Sequence, residues 1–215
     1  MGWVIVLVFG AVVIIANLIS NHFKRKRNEA FAKRAQALGL ELYSDLPEAD
    51  WDRLEEFELY KKHGRSQRVG LALAAETDDT RVTICEYTYT VGSGKNKSSR
   101  TSVVLLVTDR RLNIPQMVLA RKTWTASLAK LVGYRYIEFP DDPDFNACYL
   151  VRGESEESVR SYLQETRRKQ LTQLQLESFE GLGDSFIVVH PGVWLQPLEI
   201  EARLSQSLAI LKSIL

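Results

Sequence analysis

A chain of 215 residues is long enough for one medium domain, or for a short separate segment plus a domain of about 175 residues with a substantial core. Its 28 lysines and arginines stand against 27 aspartates and glutamates, so the basic excess of a nucleic-acid binder is missing and no nucleic-acid partner is expected. The two cysteines, Cys85 and Cys148, lie far apart among apolar or aromatic neighbours, which fits reduced thiols better than a disulfide framework.

Residues 2–20, GWVIVLVFGAVVIIANLIS, carry no charge. As a helix rising 1.5 Å per residue they reach about 28 Å, enough to span a bilayer. Lys24, Arg25, Lys26 and Arg27 follow at once, and such a cluster holds its end of a span on the cytoplasmic side. A cleaved signal peptide would need a basic leader and a small-residue cleavage site, and neither is present. Ala30, Phe31, Arg34, Ala35 and Leu38 recur at helical spacing, and Gly39 supplies a stop, so one helix is expected from about Trp3 to Leu38. The expected organisation is a transmembrane anchor over 1–22, a basic juxtamembrane helix over 23–40 and a cytosolic domain over 41–215. The protein would then sit in a bacterial inner membrane with its N-terminus outside, meeting the lipid bilayer through residues 2–20.

From Glu41 to Lys62 acids alternate with apolar residues, which describes a solvated face backed by a buried one. Pro47 breaks this stretch, and a short helix is expected over Asp50 to Phe57. Four strand-like runs follow: RVGLALAAE (68–76), RVTICEYTYTV (81–91), TSVVLLVTD (101–109) and PQMVLA (115–120). Their polar joints predict an antiparallel meander. In the second run Thr83, Cys85, Tyr87, Tyr89 and Val91 share one face, while Val82, Ile84, Glu86, Thr88 and Thr90 share the other. Val103 to Val107 is apolar on both faces and belongs at the centre of a sheet.

The tetrapeptide GSGK at 92–95 invites a phosphate-binding reading. A nucleotide loop needs an earlier glycine, a following Ser or Thr and a helix beyond, whereas Tyr89, Asn96 and another strand stand in those places. The stretch therefore reads as a hairpin tip whose glycines supply positive φ and whose Lys95, Lys97 and Arg100 keep it soluble. Those three cations, with Lys24, Arg25, Lys26 and Arg27, are the residues expected to touch anionic lipid or a partner.

Farther on, WTASLAKLVGY (124–134) suits a short helix, YRYIEF (134–139) a strand and PDDPDF a turn-rich loop without the ligand pattern of a calcium site. CYLVRG (148–153) reads as a strand, and a helix capped by Ser155 follows in two segments meeting near Thr166. FEG and SFIVVH flank a Leu182-Gly183-Asp184 turn as a second hairpin. Residues 197–215 form an amphipathic helix with Ile200, Leu204, Leu208, Leu211 and Leu215 as its stripe. A meander, helices and a hairpin make an α+β domain.

No catalytic constellation stands out. His22, His63 and His190 have no metal spacing, the cysteines form no C-x-x-C pair, and the nucleophile elbow G-x-S-x-G is missing. No catalytic residue, cofactor or metal is expected. The runs FELYKKHGRSQRV, ICEYTYTVGSGKNKSSRTSVVLLV, DPDFNACYLVRGESEESVRSYL and FEGLGDSFIVV resemble a group of uncharacterised bacterial proteins with one N-terminal membrane helix, over roughly residues 35–190. Cys85 and Glu86 depart from that pattern, which tends to Phe and Asp. The resemblance implies an organisation and a bacterial setting, with no activity to transfer. The function expected is a non-catalytic interaction module holding a protein partner, or a second copy of itself, at the membrane. The alternative is a tethered sensor of a small ligand or anionic lipid.

Overall fold

The computed structural model describes residues 2–61, 65–122 and 135–215, with side chains from residue 17 in the first helix and from residue 68 in the second strand. Helix α1 is continuous over Gly2–Leu38 and ends on Gly39 at φ +66. That left-handed turn is the glycine stop read from the sequence.

The expectation of a membrane span is overturned. Among the described residues no helix is long and apolar enough to cross a membrane. The described part of α1 carries Lys24, Arg25, Lys26, Arg27, Glu29, Lys33 and Arg34, and it buries Phe31 and Ala35 against the sheet. Charged turns and a narrow packing stripe make this part of α1 a docking helix of the domain. The transmembrane anchor over 1–22, the single-pass topology, and the inner-membrane placement with its outside N-terminus fall with the span.

Among the described residues eight strands form one antiparallel sheet: β1 (Glu41–Tyr43), β2 (Arg65–Glu76), β3 (Thr80–Val91), β4 (Ser98–Asp109), β5 (Ile114–Arg121), β6 (Tyr149–Gly153), β7 (Ser178–Gly183) and β8 (Ser185–Pro191). Their spatial order is β1-β2-β3-β4-β8-β7-β5-β6. The first three of the expected runs form a meander, with β3 and β4 in unbroken register from Thr80↔Asp109 to Val91↔Ser98. The fourth does not join them. The β7–β8 hairpin, expected as a second hairpin after the meander, inserts between β4 and β5 and pairs with both. Val103–Val107 and Phe186–Val189 are buried on both faces, so each is stable only with a neighbour on either side and cover above and below.

Each face has its own core. One is covered by α1 together with α4 (Pro143–Cys148), α5 (Glu156–Tyr162), α6 (Glu165–Gln173) and α7 (Ile200–Ile214), which bring Phe31, Phe145, Val159, Leu171 and Ile210 onto Ile84, Leu105 and Val188. The other is covered by α2 (Glu48–Glu56) and α3 (Glu58–Lys61), whose Leu54, Leu59 and Tyr60 pack on Cys85, Tyr87 and Ile187. The alternation read for β3 holds, with Ile84 in the first core and Cys85 in the second.

Several local expectations change. PDDPDF is a helix start, because the Asp142 side chain accepts from the Phe145 N–H and Pro143 sits where a helix tolerates it. Residues 135–139 are not a strand; the Ile137 N–H donates to the Val151 carbonyl without extending the sheet. The paired helices break at Leu163–Gln164, three residues early, while Ser155 caps the first as expected. Helix α7 is rotated from its expected face: Ile200, Ser207, Ile210, Leu211 and Ile214 are buried, and Leu208 and Leu215 are exposed. The small Ser207, which donates to the Arg203 carbonyl, lets that side approach the sheet. The helix expected over 124–134 lies outside the described residues.

Candidate functional site

After β8 the chain turns at Gly192 (φ +72) and runs through Val193-Trp194-Leu195-Gln196 into a single 3₁₀ turn, Pro197–Glu199, before α7. Leu195 is fully buried and plugs the segment into the core. Its neighbours are left outside, with Trp194 59% and Leu198 86% exposed. Gln196, Pro197 and Leu198 face Ala30, Lys33, Arg34 and Ala37 of α1 across a groove of about 700 Å³. Ala30 and Ala37 are seven residues apart and so share a helix face, and their methyl side chains leave the trough open. Ile19 and Phe23 continue the same face toward the N-terminus and are exposed.

A buried carboxylate ties the two walls together. Glu86 of β3 is 4% exposed, and its Oε1 accepts from the Leu195 N–H at 3.0 Å and from Arg27 Nη2 at 2.5 Å. Arg27 Nη2 also donates to the Leu195 carbonyl at 3.2 Å, and its guanidinium lies over the Phe31 ring at 4.8 Å. One side chain of the sheet thus pins both α1 and the loop. Arg34 and Glu201 close a second tie between α1 and α7. Charge-assisted bonds of this kind set a geometry as well as adding energy.

Other buried polar groups fasten the opposite face. Glu180 of β7 accepts from the N–H groups of Glu58 and Leu59 at 2.7 and 2.6 Å, and Arg152 pairs with Glu58. Burial pushes the Glu180 carboxyl up to about 7 against the pull of those two N–H groups. Asp50 of α2 accepts from Arg81 Nε and Nη2, each at 2.9 Å, and from the Thr83 hydroxyl at 3.1 Å. Each anchors α2 or α3 onto the sheet. Burial, with the Asp50 charge second, raises the Cys85 thiol to about 12, which leaves it unreactive. Among the described residues no three histidine, cysteine, aspartate or glutamate side chains converge to hold a metal.

The residues singled out in the sequence do not come together. Lys24, Arg25 and Lys26 are exposed on α1, with Arg25 paired to Glu29 at 2.9 Å, whereas Arg27 is drawn into the tie on Glu86. Lys95, Lys97 and Arg100 are exposed at the β3–β4 tip, where Gly92 (φ +82) and Gly94 (φ +58) make the turn. Among the described residues no hydrogen bond or ion pair links the two groups. His22 is exposed, His190 is buried on β8, and His63 lies outside the described residues.

Sequence reasoning missed Trp194, Leu198, Ala30 and Ala37. The signal for Trp194 and Leu198 was VWLQPL, an apolar run around a proline with no strand or helix period, and Ala30 showed only as part of a helical repeat. Comparison with known proteins adds nothing to this geometry, since no family model, curated protein or solved structure matches the chain. The resemblance drawn from the residue runs is neither supported nor opposed.

Proposed function

We propose that the chain is a non-catalytic protein-interaction module that receives its partner in the groove between α1 and Gln196–Leu198. The observation that carries this reading is the exposure of Trp194 and Leu198 beside a trough whose walls are fixed by Glu86. Exposed aromatic and aliphatic side chains on a pre-set frame are the usual makings of an interface centre, because little ordering remains to be done on binding. The alternative, sensing of a small ligand or anionic lipid through Lys95, Lys97 and Arg100 with Lys24, Arg25, Lys26 and Arg27, has less behind it, because the two groups do not come together and Arg27 is tied to Glu86. Lys95, Lys97 and Arg100 stand on a hairpin tip and Lys24, Arg25 and Lys26 on the outside of α1, all in open solvent, and isolated surface charges bind weakly in salt.

Panning a random peptide library against the full chain tests the reading. Peptides should be retained by the wild type and lost by Leu198→Asp, a change on an exposed side chain that leaves the core intact. A library that yields no peptide whose retention depends on Leu198 rejects it.

A further inference from the structure

Resting on that reading, the groove's chemistry specifies its occupant: we infer that it takes an amphipathic helix of a partner protein whose apolar stripe is flanked by acidic residues. Both charged side chains lining the groove are cationic, Lys33 and Arg34. Arg34 is spoken for by Glu201, whereas Lys33 has no ion pair among the described residues. Lys26 lies two turns up from Lys33 on the same side of α1, and it too is exposed without an ion pair among the described residues. Apart from these cations and Gln196 the lining is apolar, formed by Ala30, Ala37, Pro197 and Leu198. Small side chains spaced by seven let a second helix approach α1 closely, and Leu198 supplies a knob for it to pack on.

The length follows from the same face. From Ile19 to Ala37 the stripe covers eighteen residue steps, about 27 Å at the helical rise, so a matching helix runs alongside for about 18 residues. A flat β-strand would leave its own backbone groups unpaired there, because neither wall of the groove is a sheet edge. A second copy of α1 is disfavoured by charge. Laid along the first it would set Lys26 and Lys33 against lysines and arginines of the same face, and like charges across an interface oppose association.

The test uses the full chain and three synthetic peptides of about 18 residues with one leucine stripe, flanked by glutamates, by lysines or by glutamines. Binding is followed by fluorescence anisotropy of a labelled peptide and by the change in tryptophan emission that a Trp194→Phe variant loses. The glutamate peptide should bind at least about tenfold more tightly than the lysine peptide and weaken as salt rises. Lys33→Glu should shrink or reverse that preference, and Leu198→Asp should abolish binding of all three. Equal binding of the three peptides, or a preference untouched by Lys33→Glu, overturns the acidic partner. Retention of neutral or basic peptides in the panning experiment leaves the interaction reading standing and removes this one. A Leu198-dependent dimer in sedimentation would likewise overturn it, by making the occupant a second copy.

Discussion

Glu180 and His190, one residue on each strand of the central hairpin, are buried titratable groups whose pH responses oppose each other. Burial raises the Glu180 carboxyl from its ordinary 4.5 to about 7. The folded state therefore holds the proton more tightly than the unfolded one. Its contribution to stability is complete below about pH 4.5 and is lost as pH rises through 7, by about 3 kcal/mol. Burial, with the Arg203 charge second, lowers His190 from 6.5 to about 4. Its contribution is complete above about pH 6.5 and is lost as pH falls through 4, by a similar amount. The two slopes cancel in the wild type. Glu180→Gln should leave the histidine slope alone, so that stability climbs by about 3 kcal/mol from pH 4 to 7, and His190→Gln should leave the reverse. Urea midpoints across that range read both, and carboxylates common to both variants drop out of their difference. Parallel slopes in the two variants would sink the argument. None of this was legible in FEG or VVH, because strand alternation tells which face a side chain takes and not how deeply that face is covered.

At the scale of elements, local chemistry was readable and long-range pairing was not. The β3–β4 hairpin, its glycine tip, the Ser155 cap and the Gly39 stop all follow from residues a few positions apart. The displacement of β5, the rotation of α7 and the docking of α1 depend on partners from distant sequence, and an apolar run says only that something covers it. Residues 2–20 show the hazard, since hydropathy and length fit a span while the described part of the same helix packs as part of the domain. The groove was illegible for the same reason: its walls are more than 150 residues apart in the chain, and Glu86 joins them from a third element. That junction yields a prediction. Glu86→Ala leaves the buried Leu195 N–H without its acceptor and Arg27 without its counter-charge, and should cost about 2–3 kcal/mol. Glu86→Gln keeps an acceptor for Leu195 and should cost about 1 kcal/mol. Amide exchange along residues 27–38 should speed up in the alanine variant before the rest of the sheet responds. Unchanged exchange there would mean that Phe31 and Ala35 hold α1 without the tie.

For the whole molecule, the order of strands makes the end of the chain its structural centre. Strand β8 completes the edge of β4, and β7 joins that half of the sheet to β5 and β6. Without the hairpin the described sheet separates into β1-β2-β3-β4 and β5-β6, which have no strand contact with each other. The buried side chains Phe179, Phe186, Ile187 and Val188 leave with it, and at about 2 kcal/mol each their burial amounts to about 8 kcal/mol, comparable to the net stability of a domain. A chain ending at Leu176 should therefore show no cooperative urea transition, although every strand of the meander is present in it. A synthetic segment covering 177–215 carries β7, β8, the Leu195 plug and α7, so adding it in trans should restore near-UV circular dichroism and a cooperative transition. Stable, cooperative folding of the shortened chain on its own would show that the meander is the true nucleus and that the hairpin merely decorates it.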